Sequence, residues 1–69
     1  MKRRLLDAID ELPSTWRDVL LQRDVLGRSS AEVSSALGIT PGQERAMLSR
    51  ARAVLRERLA QLLADGRRR

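Results

Sequence analysis

The segment from Gly38 to Arg52 constrains the fold more than any other, because it contains the end of one predicted helix and the start of another. Thr40 can accept a hydrogen bond at a helix N-terminus, and Pro41 suits the first helical position because it has no N–H. Gln43, three residues after Thr40, completes a capping box. A helix is therefore predicted to begin at Pro41.

A second capping pattern lies just upstream of this segment. Ser29 and Glu32 have the spacing of a capping box, and they open a short apolar segment that stops at Gly38. Two helices separated by a few residues, the second rich in arginine, are typical of a helix-turn-helix whose C-terminal helix is the recognition helix.

The helical spacing of apolar residues predicts two more helices towards the N-terminus. The first helix covers residues 3–11, has Leu5 and Leu6 on its apolar face, and ends before Pro13. The second helix begins at Pro13 and ends at Gly27. The apolar positions assigned to the second and third helices are Trp16, Val19, Leu20, Leu21, Val25 and Leu26, and Ala31, Val33, Ala36 and Leu37. Trp16, the only aromatic residue, is interpreted as a core anchor and not as a platform for a base. No strand pattern occurs, so the predicted fold is all-α, a small four-helix domain with a long C-terminal recognition helix.

The predicted fourth helix, from Pro41 to about Asp65, would be about 36 Å long, which is more than so small a domain can cover. Its far end is therefore expected to protrude. Its apolar stripe consists of Leu48, Ala51, Leu55, Leu59 and Leu62, widened by Met47, Val54 and Leu63. Gly66 is expected to end the helix, which makes residues 1–66 the domain and residues 67–69 a disordered basic tail.

The composition excludes several classes of function. A chain of 69 residues has no room for a deep catalytic cleft, and the absence of cysteine and histidine removes the usual nucleophilic thiol, general base and metal ligands. We therefore expect no enzyme activity, no cofactor and no metal site. The longest uncharged run, residues 33–43, is too short and too polar to span a bilayer, and early acidic residues interrupt any signal peptide. A soluble cytoplasmic protein is expected.

The net charge of +5 is concentrated in one half of the chain. Residues 1–40 hold six basic and six acidic residues, whereas residues 41–69 hold eight arginines against three acids. Guanidinium groups bind phosphate in a bidentate geometry, so this half suits contact with nucleic acid. A solvated helix face would account for the same composition without a ligand.

Several short motifs follow one another around the predicted helix-turn-helix. They are Leu12-Pro13, Arg17-Asp18-Val19-Leu20-Leu21, Gly27, Glu32-Val33, Leu37-Gly38-Ile39 and Arg50-Ala51-Arg52. In this order and spacing the chain resembles region 4 of a bacterial sigma factor of the extracytoplasmic-function group, over residues 5–63. The resemblance implies a four-helix domain that binds the promoter −35 element in the major groove. It also implies contacts with the flap of the RNA polymerase β subunit or with an anti-sigma factor.

The resemblance also implies which residues contact DNA. The positions expected at base edges are Gln43, Arg45, Ala46, Ser49 and Arg50, and Arg23 with the start of the third helix is expected near phosphates. The complete set of expected DNA-binding residues is Arg23, Ser30, Ala31, Thr40, Gln43, Glu44, Arg45, Ala46, Ser49, Arg50 and Arg52. Helical spacing places Arg45, Ser49 and Arg52 one or two turns apart, with Arg50 beside them and all away from the apolar stripe. Unpaired N–H groups at Ser30, at Ala31 and in the first turn of the fourth helix also favour phosphate.

Three positions depart from the family pattern. Glu44 stands where an apolar residue is more usual. It could accept a hydrogen bond from a cytosine amino group, or instead pair with an arginine at i+4 spacing or pack at the helix start. Met47 stands where a basic residue is common. Ser34 replaces a small apolar residue and is expected to donate to a carbonyl of its own helix.

Two other functions remain open at this stage. The leucine-rich fourth helix could dock an anti-sigma factor or pair with its own copy, and the helix-turn-helix could belong to a response-regulator-like activator. Leu12-Pro13 and Arg50-Ala51-Arg52 favour the sigma factor over the activator. Such sigma factors also carry an N-terminal domain, to which nothing in these 69 residues corresponds. We therefore expect an excised C-terminal domain of a longer protein, with a natural single-domain relative as the alternative.

Overall fold

The computed structural model describes residues 7–67, with side chains for residues 7–66. Helical residues 7–10 form α1, and α2 covers Ser14–Leu20 and continues as a π-helical segment, Leu21–Val25. Helix α3 covers Ser30–Leu37 and α4 covers Pro41–Arg67. The predicted all-α, four-helix fold is confirmed, since no strand occurs among the described residues. The part of the first predicted helix that contains Leu5 and Leu6 lies outside them.

The π-helical segment was not predicted. In an α-helix each N–H donates to the carbonyl four residues earlier. Here Leu26 N–H donates to the carbonyl of Leu21, five residues earlier, and Arg28 N–H donates to that of Gln22, six residues earlier, both at 2.9 Å. The wider turn shifts the following side chains around the helix axis. Val25 and Leu26 are consequently 69% and 62% exposed, so their assignment to the core was wrong. Gly27, with a φ of 69°, ends the segment as expected.

The core lies where α2, α3 and α4 meet. Its buried apolar residues near this junction are Leu12, Val19, Leu20, Val33, Leu48 and Ala51. Trp16 is partly buried against them, in agreement with its interpretation as a core anchor. In α3 only part of the predicted apolar face is correct, because Ala31 and Ala36 are exposed and Ser34 is buried in their place.

Local hydrogen bonds build the turn between α3 and α4. Gly38 has a φ of 67°, and the N–H of Ile39 donates to the carbonyl of Ser34 at 3.1 Å, which closes the end of α3. Both predicted capping boxes are present. Thr40 N–H donates to Gln43 Oε1 at 2.9 Å, and Gln43 N–H donates to Thr40 Oγ1 at 3.1 Å, so α4 begins at Pro41 as predicted.

Helix α4 is 27 residues long and projects beyond the other helices, as its length predicted. The described chain measures 46 × 18 × 18 Å, and Leu59 and Leu63 are 43% and 48% exposed on the projecting part. The helix does not end at Gly66 but continues to Arg67. A glycine inside a helix costs only about 1 kcal/mol relative to alanine, which is too little to stop it. The rest of the predicted tail, residues 68–69, lies outside the described residues. None of the described helices is long and apolar enough to cross a membrane.

Candidate nucleic-acid interface

The solvent face of the first turns of α4 carries the expected base-contacting residues. Each helical residue turns the chain by about 100°, so one side of α4 packs on the core while the opposite side stays free. Glu44, Leu48 and Ala51 form the buried side. The exposed side, here called the outer face, consists of Gln43, Arg45, Ala46, Ser49 and Arg50. The structure therefore brings these five residues together on one accessible ridge.

Gln43 is partly committed to the cap of α4. Its side-chain oxygen accepts the N–H of Thr40, while its amino group is not used by the capping box. A bidentate contact with adenine needs both the oxygen and the amino group of the amide. Gln43 can therefore donate one hydrogen bond to a base without disturbing the helix, and the bidentate contact requires the cap to open.

The N-terminus of α3 presents free N–H groups next to a negative charge. Val33 N–H donates the first backbone hydrogen bond of the helix, to Ser29, which leaves the N–H groups of Ser30 and Ala31 ahead of it. Glu32 N–H donates to Ser29 Oγ and the Glu32 carboxylate accepts the N–H of Ser29. Hydrogen bonds from the backbone and the hydroxyl of Ser29 lower the pKa of Glu32, so its carboxylate stays charged here. A phosphate at this helix start would have to tolerate that charge.

Glu44 does not belong to the DNA-contacting surface. Its side chain is 0% exposed, because both carboxylate oxygens face the protein interior. Arg23 Nη1 donates to Oε1 at 2.7 Å, and Ser30 Oγ donates to Oε2 at 2.5 Å. The expectation that Glu44 contacts a base is wrong. Glu44 does pair with an arginine, but the partner is 21 positions away and not at the predicted i+4 spacing. That arginine comes from the π-helical segment.

Arg52 and Arg50 lie on different sides of α4. They are two residues apart, which places them about 160° from each other around the helix. Arg52 donates to Asp24 from Nε at 2.9 Å and from Nη2 at 2.5 Å. The guanidinium carbon of Arg50 lies 6.0 Å from the centre of the Trp16 ring. Arg52 is therefore separated from Arg50, although it lies almost in line with Arg45, seven residues earlier. Of these three arginines, Arg52 is the one that pairs with a carboxylate among the described residues.

The pairing of Arg52 with Asp24 changes the protonation of both groups. The hydrogen bond from Arg52 lowers the pKa of Asp24 despite the opposing effect of burial, and the hydrogen bond to Asp24 raises the pKa of Arg52. Asp24 was not among the predicted site residues. The two residues are 28 positions apart, and no local pattern connects them.

Two further ion pairs join α1 to the rest of the domain. Arg58 on α4 donates to Glu11, and Arg17 lies 3.9 Å from Asp10. Among the described residues, no group of three or more His, Cys, Asp or Glu side chains is placed to hold a metal ion. The guanidinium groups of Arg45 and Arg50 are the charged groups of the outer face of α4.

The chain matches the family model described as Sigma-70, region 4, over residues 2–55. The matched range is more than half of the chain and includes α3, residues 41–55 of α4 and the entire outer face. No curated protein and no solved structure matches the chain with significance.

Proposed function

Because this chain belongs to the sigma-70 region 4 family, we propose that it recognises the −35 element of promoters through the outer face of α4. Membership of the family makes it a non-catalytic DNA-binding module that acts in transcription initiation with RNA polymerase. The observation that carries the proposal is the accessibility of the outer face at the start of α4, while the opposite side of the helix is buried. We also propose that the chain belongs to the extracytoplasmic-function group of sigma factors and acts in the cytoplasm.

The side chains of the outer face have the chemistry that base recognition needs. Arg45 and Arg50 each present a guanidinium that can bind guanine O6 and N7, and such a pair discriminates against a wrong base by about 1 to 3 kcal/mol. Ser49 can donate to or accept from a base. Ala46, with its methyl group, lets the helix approach closely and can contact a thymine methyl.

Phosphate contacts would come from the flanks of this face. The N–H groups of Ser30 and Ala31 at the start of α3 would bind a phosphate of one strand, and Arg23 and Arg52 are the candidate cations. Both arginines already pair with carboxylates, so each would contribute only its remaining donors or exchange its partner. Because a single small module makes few base contacts, we expect weak binding with a strong dependence on salt.

A comparison of two arginine variants tests the proposal. Two DNA probes are used. The first, here called the enriched duplex, is selected by the full chain from a pool of duplexes with randomised base pairs. The second is a scrambled duplex of equal composition. Arg50→Ala should weaken binding to the enriched duplex by about tenfold or more, and binding to the scrambled duplex much less. Arg58→Ala, which lies about 12 Å further along α4, should have a smaller effect that is equal on both duplexes. Fluorescence anisotropy measures all four affinities. Equal losses on both duplexes for Arg50→Ala would refute the base contact.

A second surface of the domain is suited to a protein partner. An open groove of about 360 Å³ lies between the end of α2 and the projecting part of α4, and it exposes leucine side chains beside basic residues. Its lining residues are Leu20, Asp24, Arg52, Leu55, Arg56 and Leu59. We propose that the flap of the RNA polymerase β subunit binds here and that an anti-sigma factor would compete for the same groove. Leu59→Asp should abolish binding of an isolated flap fragment and leave DNA affinity within about twofold.

The remaining alternatives have their own tests. Sedimentation velocity at several concentrations would detect pairing of α4 with a second copy. A footprint with two repeated half-sites would favour an activator that binds DNA as a dimer, whereas a single site agrees with the proposal.

A further inference from the structure

The buried carboxylate of Glu44 connects three elements of the domain. It lies in the first turn of α4, its partner Arg23 belongs to the π-helical segment, and its partner Ser30 is the first residue of α3. Both oxygens are used, one for each partner. One side chain thus holds the two helices of the helix-turn-helix and the end of α2 in a fixed arrangement.

A buried ion pair is weak evidence for stability. Burying a carboxylate and a guanidinium removes both from water, and apolar residues of similar volume often replace a buried ion pair without loss of stability. Loss of Glu44 alone is different, because it leaves the guanidinium of Arg23 without its carboxylate. The presence of Glu44 here therefore calls for another consequence of the pairing.

Glu44 lies between the residues that are expected to contact bases and those that are expected to contact phosphates. Its neighbours in sequence, Gln43 and Arg45, are on the outer face, and its partners Ser30 and Arg23 are on the flank expected at the backbone. Phosphate contacts set the orientation of a protein on DNA, and base contacts depend on that orientation. A link between the two sets therefore controls how well the outer face meets the base edges.

We propose that Glu44 is a positioning residue for base selectivity. It fixes the orientation of α4 relative to α3, so that the distance between the base-contacting groups and the phosphate-contacting groups stays constant. Its action is indirect, through Ser30 and Arg23, because its own side chain is not accessible to DNA. This inference rests on the proposed function, since it concerns how selectivity between DNA sequences arises.

The first test measures selectivity. The enriched and scrambled duplexes are titrated with the wild-type chain and with Glu44→Val, after circular dichroism has verified that both fold. We expect the ratio of the two affinities to fall by about five- to tenfold in Glu44→Val, because the base contacts lose their alignment. Binding to the scrambled duplex should be unchanged or tighter, since Arg23 becomes available to phosphate. An unchanged ratio in a folded Glu44→Val would overturn the inference.

Two further variants separate positioning from packing. Glu44→Gln keeps an oxygen that can accept from Ser30 and should retain part of the selectivity. Ser34→Ala removes another buried polar group of the motif, but its hydroxyl donates to Ser30 O within α3 and does not join two helices. Selectivity should therefore be unchanged in Ser34→Ala, and a loss equal to that of Glu44→Val would overturn the inference. If Glu44→Val does not fold, Ser30→Ala takes its place, with a smaller loss of selectivity expected.

The second test does not depend on DNA. Residual dipolar couplings of backbone amides report the orientation of α3 relative to α4 in the free protein. We expect this orientation to change in Glu44→Val, or in Ser30→Ala if that variant is used, and to remain in Ser34→Ala. If the wild-type chain enriches no duplex, the proposed −35 recognition fails. The couplings alone then decide whether Glu44 fixes the orientation of α4 relative to α3. An orientation identical to that of the wild type would then overturn the inference.

Discussion

Arg52 on α4 donates two hydrogen bonds to the carboxylate of Asp24 at the end of α2, at 2.9 and 2.5 Å. The pair joins residues 28 positions apart, and both side chains remain partly exposed. Asp24 therefore accepts hydrogen bonds from the same guanidinium donors that a phosphate would use. The pair also links the stability of the domain to pH.

Replacement of Asp24 should flatten the dependence of stability on pH. The folded-state pKa of Asp24 lies below its unfolded value because of Arg52, so the stabilisation is complete above the unfolded pKa and is lost as the pH falls through the folded one. We expect the wild-type melting temperature to fall as the pH drops below about 4, and to fall less in Asp24→Asn. At neutral pH the cost of the substitution should be about 0 to 1 kcal/mol, as for other exposed ion pairs.

Thermal melts followed by circular dichroism between about pH 2 and pH 7 measure this effect. Arg52→Gln serves as a matched control, because it removes the other partner and should flatten the curve by the same amount. The double variant should do no more than either single change. Some slope will persist in all of them, since the pKa of Glu32 is also lowered, by the hydrogen bonds from Ser29. Parallel curves for the wild type and Asp24→Asn would contradict the assignment.

The same glycine-to-alanine change should have opposite effects at Gly38, before the start of α4, and at Gly42, inside its first turn. Gly38 has a φ of 67°, where alanine is strained, so Gly38→Ala should destabilise the domain by about 1 to 2 kcal/mol. Gly42 lies in α4, and a Cβ there would meet only Thr40 Oγ1 at an ordinary 3.9 Å. Gly42→Ala should therefore stabilise by about 0.5 to 1 kcal/mol. Urea denaturation followed by Trp16 fluorescence gives both values, and a shared sign would refute the assignment of the turn.

Val33 and Val25 provide a matched pair that tests the position of the core. Val33 is 0% exposed, so Val33→Ala should cost about 1 to 3 kcal/mol through lost burial and the cavity that it leaves. Val25 follows the widened turn and is mostly exposed, so Val25→Ala should change stability by less than about 0.5 kcal/mol. Denaturant midpoints of the two variants measure the difference. A large loss for Val25→Ala would mean that the segment is an ordinary α-helix, as the sequence predicted.

Local signals in the sequence were sufficient for the architecture. The capping boxes at Ser29 and Thr40, the left-handed glycines and the apolar spacing of α2 and α4 each depend on residues within about one helical turn. Such contacts are encoded by spacing alone. The order of the helices, the turn at Gly38 and the outer face of α4 were predictable for this reason.

Contacts between distant residues could not be predicted in the same way. The pairing of Glu44 with Arg23 spans 21 positions, and that of Arg52 with Asp24 spans 28, so each depends on how the helices cross. The widened turn at Leu21–Val25 also has no local signal, and Val25 and Leu26 at its end lie on the surface. These features decide which of the expected DNA-binding residues are available to a ligand.

Trp16 should report directly whether Arg50 engages DNA. It is the only aromatic residue of the chain, and the Arg50 guanidinium lies over its ring at 6.0 Å, a contact worth about 0.5 to 1 kcal/mol at an exposed site. If Arg50 binds a base or a phosphate, the guanidinium leaves the ring and the emission of Trp16 changes. We expect such a change when the enriched duplex is added to the wild type, and none in Arg50→Ala at saturating duplex.

Arg45→Ala distinguishes this effect from a general response to DNA. Arg45 also lies on the outer face and contributes to binding, but in Arg45→Ala the guanidinium of Arg50 still lies over Trp16. Arg45→Ala should therefore need more duplex to saturate and then show the full wild-type change in emission. Because the remaining side chains contribute no emission of this kind, the signal comes from one ring. Unchanged emission in the saturated wild type would show that Arg50 stays on Trp16, and base contact would then fall to Arg45 and the rest of the outer face.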